Sequence, residues 1–256
     1  DSEDAESSVV SATVDVAPVA DAPVMVNPTS ELIENGGFES GTSGWITGSF
    51  GNHSLGYIVW SGFSSPISGQ AIAGPASGNA YAVADQTGPL VSFLSQTFET
   101  PSYSQNVMLS FDMFVASRNP VSIRDGALDL SNHQFARVDI LSPGGDPYNT
   151  GADVVANLFI GGTYQSNTAV SVPYVHYEVD LTPYLIPGEN YILRFSQADT
   201  NFYLQHGIDN VSIISSSSVV ADEDTTITLP ITTPVCRTAG PSPATSRRTT
   251  PWTLSR

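Results

Sequence analysis

Short runs that alternate apolar and polar residues, broken by glycine turns, restrict this chain more than any other feature. In Leu109-Ser110-Phe111-Asp112-Met113-Phe114-Val115 the odd positions are apolar. Val175, Tyr177, Val179 and Leu181 alternate with His176, Glu178 and Asp180, and Tyr191, Leu193 and Phe195 alternate with Ile192, Arg194 and Ser196. A period of two puts one face of a strand in a core and the other in water. Turn signals recur between such runs: Asn35-Gly36-Gly37, Ser43-Gly44, Ser77-Gly78-Asn79, Pro143-Gly144-Gly145, Gly161-Gly162 and Pro187-Gly188. Many short strands with no long helical period predict an all-β fold, an antiparallel β-sandwich of jelly-roll type.

The charge balance narrows the partners. The 256 residues include 8 Arg and no Lys against 25 acids, a formal net charge of -17. Such a surface repels phosphate backbones, which argues against nucleic acid as a partner. It attracts cations, and carboxylates are the hard ligands calcium prefers; solubility in a salty medium explains the same excess. Cys236 is the one cysteine, so no internal disulfide forms. No apolar run reaches the ~18 residues of a membrane span. The acidic opening Asp1, Glu3, Asp4 and Glu6 does not resemble a signal peptide, so the chain reads as a piece of a longer protein.

Composition shifts divide the chain into three parts. Residues 1–29 read as a linker and the end of a preceding β-repeat, because the alternation through Val14 to Val19 stops at prolines. Residues 30–215 carry the alternating pattern and form the jelly-roll module, expected to be monomeric. Residues 216–256 begin with a Ser-rich linker and an incomplete next repeat. From 225 onward there are four Arg and no acid, which predicts a disordered tail and suggests a shifted reading frame beyond Leu229.

Two segments carry a resemblance. Glu34-Asn35-Gly36-Gly37-Phe38-Glu39-Ser40-Gly41, followed by Gly44-Trp45, and Gly207-Ile208-Asp209-Asn210-Val211-Ser212-Ile213 resemble the opening and closing strands of galactose-binding-like jelly rolls, as in family 4/9-type carbohydrate-binding modules. The resemblance implies that these strands are neighbours and that a structural Ca2+ sits where they meet. Glu39 and Asp209 match its ligands; Asn35 and Asn210 are further candidates. Two carboxylates that close need a cation or a proton between them. The alternative is that both are exposed turn residues with no metal. The flanks, Pro18 to Val24 and Val220 to Thr225, resemble junctions of bacterial cadherin-like adhesin repeats, with Asp21, Asp222 and Asp224 as possible junction ligands. That resemblance implies a secreted bacterial protein at the cell surface or outside the cell, with neighbouring domains of the same parent chain as partners.

Sugars stack their C–H faces on aromatic rings while polar side chains reach their hydroxyls. Tyr57, Trp60 and Phe63 are the aromatic candidates, and Gln197, Asn201 and Tyr203 form a second polar and aromatic group before the closing strand. In Tyr57-Ile58-Val59-Trp60, Tyr57 and Val59 share one face and Trp60 takes the other. Trp45 and Tyr81 read as core, and Trp60 reads equally as core or platform. Arg118, Asn119 and Arg124 read as partners for Asp125 and Asp129. His53, His133, His176 and His206 show no metal-ligand spacing, and no nucleophile elbow or phosphate loop appears. The expectation is a non-catalytic extracellular module that binds a polysaccharide or glycan. The alternative is a structural or adhesive spacer domain.

Overall fold

The computed structural model describes residues 29–51, 56–86, 89–102, 104–131 and 133–217. The flank junctions with Asp21, Asp222 and Asp224, the tail, and His53 lie outside the described residues.

The described chain is an antiparallel-rich β-sandwich. Its strands are β1 (Thr29–Glu31), β2 (Ile46–Gly51), β3 (Ile58–Trp60), β4 (Tyr81–Ala84), β5 (Leu90–Glu99), β6 (Asn106–Ser117), β7 (Gln134–Leu141), β8 (Val154–Gly161), β9 (Thr163–Tyr164), β10 (Val175–Asp180), β11 (Asn190–Asp199) and β12 (Leu204–Ser216). One sheet runs β10-β6-β12-β4-β3, with β1 added to β12 and β9 added to β6; the other runs β2-β5-β11-β7-β8. Among the described residues no helix is long and apolar enough to cross a membrane.

The alternation read from the sequence is what closes the core. Leu109, Phe111 and Met113 of β6 and Ile208 and Ile213 of β12 face Leu94, Val138, Leu193 and Phe195 of the other sheet in one buried cluster. Phe111 and Phe195 meet edge to face at 5.2 Å across the layer. Burying such side chains stabilises the fold by roughly 1.5–3 kcal/mol each.

The first and last strands are neighbours, as the paired motifs imply: Thr29 pairs with Ser216 and Glu31 with Ile214. The docking is tighter just beyond β1. The Val211 amide donates to the Gly36 carbonyl at 3.0 Å, and a Cβ at Gly36 would lie 1.7 Å from the Val211 oxygen. Only glycine permits that approach. β12 accommodates it through a register shift between Asp209 and Ser212, where Asn210 adopts a left-handed φ of 51°. Phe38, fully buried, meets Trp45 in a tilted contact at 5.3 Å, so the opening motif delivers two rings to the core.

Candidate functional site

The two motif carboxylates converge on one loop. Glu39 Oε1 accepts the amides of Asn79 and Ala80 at 2.7 and 3.0 Å. Asp209 Oδ2 accepts the amides of Ala76 and Ser77 at 2.8 and 3.0 Å, and Oδ1 accepts that of Asn210 at 2.8 Å. The segment 76–80 is therefore clamped from both ends of the domain's sequence. The charge problem expected of neighbouring carboxylates is met by five backbone amides, whose dipoles point at the oxygens. Those of Asn79 and Ala80 hold the Glu39 carboxyl below its ordinary range. Burial pushes Asp209 up, and its amides offset only part of this.

Asn35 serves the turn rather than the clamp. Its Nδ2 donates to the Gly41 and Ser43 carbonyls at 2.8 and 3.0 Å, and its Oδ1 accepts the Ser40 amide at 3.0 Å. Asn210 Nδ2 donates to Asp112 Oδ2 at 2.7 Å. The Asn79 side chain also bonds the Glu39 carboxylate, so a cation here would have to share the oxygens of Glu39 and Asp209 with these donors.

The aromatic candidates separate. Trp60 packs with Tyr81, Val83 and Phe114 on the outer side of the β10-β6-β12-β4-β3 sheet, and Phe63 follows it in the loop after β3. Phe63 is 70% exposed. Its ring lies over Gly74, where a Cβ would approach ring carbons to 2.5 Å; the Trp60 ring covers Gly62 in the same way, at 2.6 Å. Trp60 Nε1 donates to the Ser64 carbonyl at 3.0 Å, fixing the half-buried indole. Tyr57 corrects the expectation: it faces inward with Val59, is buried, and bonds His206 Nδ1 through its hydroxyl at 2.6 Å. No ligand on the surface reaches it. Gln197 is corrected likewise, because it shares the inner face of β11 with Phe195 and is fully buried. Asn201 is exposed and Tyr203 half-buried in the turn between β11 and β12, beside Phe202, whose ring meets Tyr203 at 4.7 Å.

The loop cations also differ from expectation. Arg118 donates to Gln205 and to four backbone carbonyls, those of Gln165, Asn167, Val170 and Ala71. Arg124 reaches the Ser131 carbonyl. The side chain that Asp125 and Asp129 flank is His133, at 3.4 and 3.2 Å.

Two features escaped the sequence. On the outer face of the second sheet, Asp139 receives both Arg137 and Arg194, with Arg137 Nη2 at 2.7 Å and Arg194 Nη2 at 2.5 Å. Burial pushes this carboxyl up, yet the two guanidiniums hold it below its usual range. Arg194 Nη1 also donates to the Pro147 and Asn149 carbonyls, which ties the loop after β7 over the sheet. Alternation placed Arg194 on a wet face; that covering loop, which no local pattern announces, buries it. The second feature is a cleft of about 150 Å3 where β9 and β10 both meet β6, lined by Phe114, Phe159, Gly162, Val175 and Tyr177 among others. Near it His176 keeps its exposed position but bonds Asp112 at 2.8 Å. That bond raises the imidazole's pKa.

No family model matches the chain, and no curated protein matches it. Among solved structures it is similar to TmCBM61 in complex with β-1,4-galactotriose, at 13% identity and a TM-score of 0.44, covering 72% of this chain and 97% of that one. It is similar to the K3 cleaved adhesin domain of Lys-gingipain from Porphyromonas gingivalis, at 14% identity and a TM-score of 0.43, covering 73% and 99%. It is similar also to the Stig cyclase Fisc from Fischerella sp. TAU, at 18% identity and a TM-score of 0.44, covering 73% and 98%. A sugar-binding module, an adhesin domain and a cyclase at this distance assign no function to the chain.

Proposed function

We propose that the sandwich is a non-catalytic carbohydrate-binding module of a secreted bacterial protein, with Trp60 and Phe63 as its platform. The observation that carries this reading is Phe63. Its large apolar ring stands 70% exposed and is seated against Gly74. An exposed ring backed by glycine is suited to stack on the C–H face of a sugar. Exposed Ser61 and Ser64 beside it supply hydroxyls for the sugar's own. Asn201 and Tyr203 belong to the reading as a second, polar contact group.

Calcium belongs to the same reading. The carboxylates of Glu39 and Asp209 would supply oxygens for it, and a bound ion would add its charge to the amide grip on residues 76–80. Calorimetric melting with calcium and with EDTA tests this: a higher melting temperature with calcium is expected. An unchanged value means that the amides alone hold the loop.

A glycan array probed with the full chain, then with Phe63→Ala and Trp60→Ala, tests the platform. Hits that both variants lose while melting within a few degrees of wild type are the expected result. No hits at all would leave the adhesive-spacer reading in place.

A further inference from the structure

The inner faces of the two sheets are apolar over most of their length, but not at the end where β11 turns into β12. Phe195 points inward, since it meets Trp45 at 6.2 Å and Phe111 at 5.2 Å. Two-residue alternation carries Gln197 and Asp199 onto the same inner face. Ser92, opposite Gln197 in the β5–β11 register, shares the inner face with Leu94. From the other sheet His206 points inward between Leu204 and Ile208, with its ring 6.5 Å from that of Phe195. Gln86 lies two residues beyond the inward Ala84.

These five side chains are 0–2% exposed. Six of their atoms have no hydrogen-bond partner in the protein: Gln86 Nε2, Ser92 Oγ, Gln197 Nε2 and Oε1, Asp199 Oδ1 and His206 Nε2. Folded proteins leave few such atoms unpaired, and here both ends of one amide are unpaired together. The atoms also lie beside groups that are well satisfied. Asp199 Oδ2 accepts the Leu204 amide at 2.9 Å, and His206 Nδ1 bonds Tyr57 at 2.6 Å. For Asp199 and His206 the unpaired atom is the second polar atom of a group whose first is already bonded.

We propose that this end of the sandwich encloses an internal hydration site that bridges the two sheets. The chemistry selects the guest. Two amide nitrogens only donate, the amide oxygen accepts, and the serine hydroxyl does both. An anion would face Asp199, and a cation would face the amide N–H groups. Among the described residues no group of three acids, histidines or cysteines is placed to hold a metal. A neutral guest that donates and accepts in the same small space is water, which natural interiors use to satisfy such clusters. Its bonds would join β5 and β11 to β12 and add to the one contact the Asp199 carboxylate makes with the Leu204 amide.

The test uses the full native chain. Side-chain amide resonances of Gln86 and Gln197 are assigned, and their cross-relaxation with water is measured in the rotating frame. A water cross-peak of direct-contact sign at either amide is expected, together with one or more ordered waters within hydrogen-bond distance of at least two of the six atoms in a high-resolution crystal structure. Absence of a water cross-peak at both amides overturns the proposal. So does electron density in which the six atoms pair among themselves.

Discussion

His206 makes the module sensitive to mild acid in a way that can be worked through. Burial disfavours the imidazolium and brings the residue's pKa from 6.5 down to about 3. The unfolded chain therefore takes up a proton below pH 6.5 that the folded chain refuses. The stability this residue provides is complete above the unfolded value and is lost as pH falls toward 3. One pKa unit is about 1.36 kcal/mol. Going from pH 7 to pH 4, protonation favours the unfolded state by roughly 2.3 more powers of ten, or about 3 kcal/mol.

Asp199 works in the opposite sense, since burial pushes its carboxyl well up. The pH curve of the wild type alone therefore mixes two effects. Subtracting the curve of His206→Gln removes what they share. Urea denaturation of both proteins at pH 4, 5, 6 and 7 is the assay. The stability advantage of wild type over His206→Gln should shrink by about 3 kcal/mol between pH 7 and pH 4. An advantage that stays constant across that range would refute a buried neutral imidazole.

Four further outcomes follow from the geometry. Gly36→Ala places a Cβ 1.7 Å from the Val211 oxygen, and should cost at least about 3 kcal/mol in urea denaturation. Gly41→Ala, where a Cβ meets nothing within 4 Å but φ is +66°, should cost only about 1 kcal/mol. Asp139→Asn removes the carboxylate shared by Arg137 and Arg194 and should cost about 3–5 kcal/mol; a loss below about 1 kcal/mol would show that the backbone carbonyls suffice. Glu39→Gln should lower the melting temperature at pH 7, where the carboxylate is charged. The difference should vanish as pH falls through the lowered Glu39 pKa, and a difference independent of pH would argue against the amide clamp.

Alternation alone determined the sandwich, because a period of two has one physical solution: an inner face that must be covered by another such face. The same rule placed Phe111 and Leu193 in the core, separated Tyr57 and Val59 from Trp60, and left His176 outside. The resemblance of the motif pair implied that the first and last strands are neighbours, and β1 does pair with β12; the close approach of Gly36 to Val211 is known only from the fold. What the alternation could not reveal is what lies opposite a polar side chain. Gln197 and Arg194 read alike as polar residues on one strand. The fold turns Gln197 into the interior and roofs Arg194 with a loop that follows β7. Asp139 became the partner of two guanidiniums, and Glu39 and Asp209 the grips of one loop, through contacts between segments far apart in the chain. Local sequence sets which face a side chain takes; only the packed tertiary structure decides whether that face meets water, a charge or another sheet.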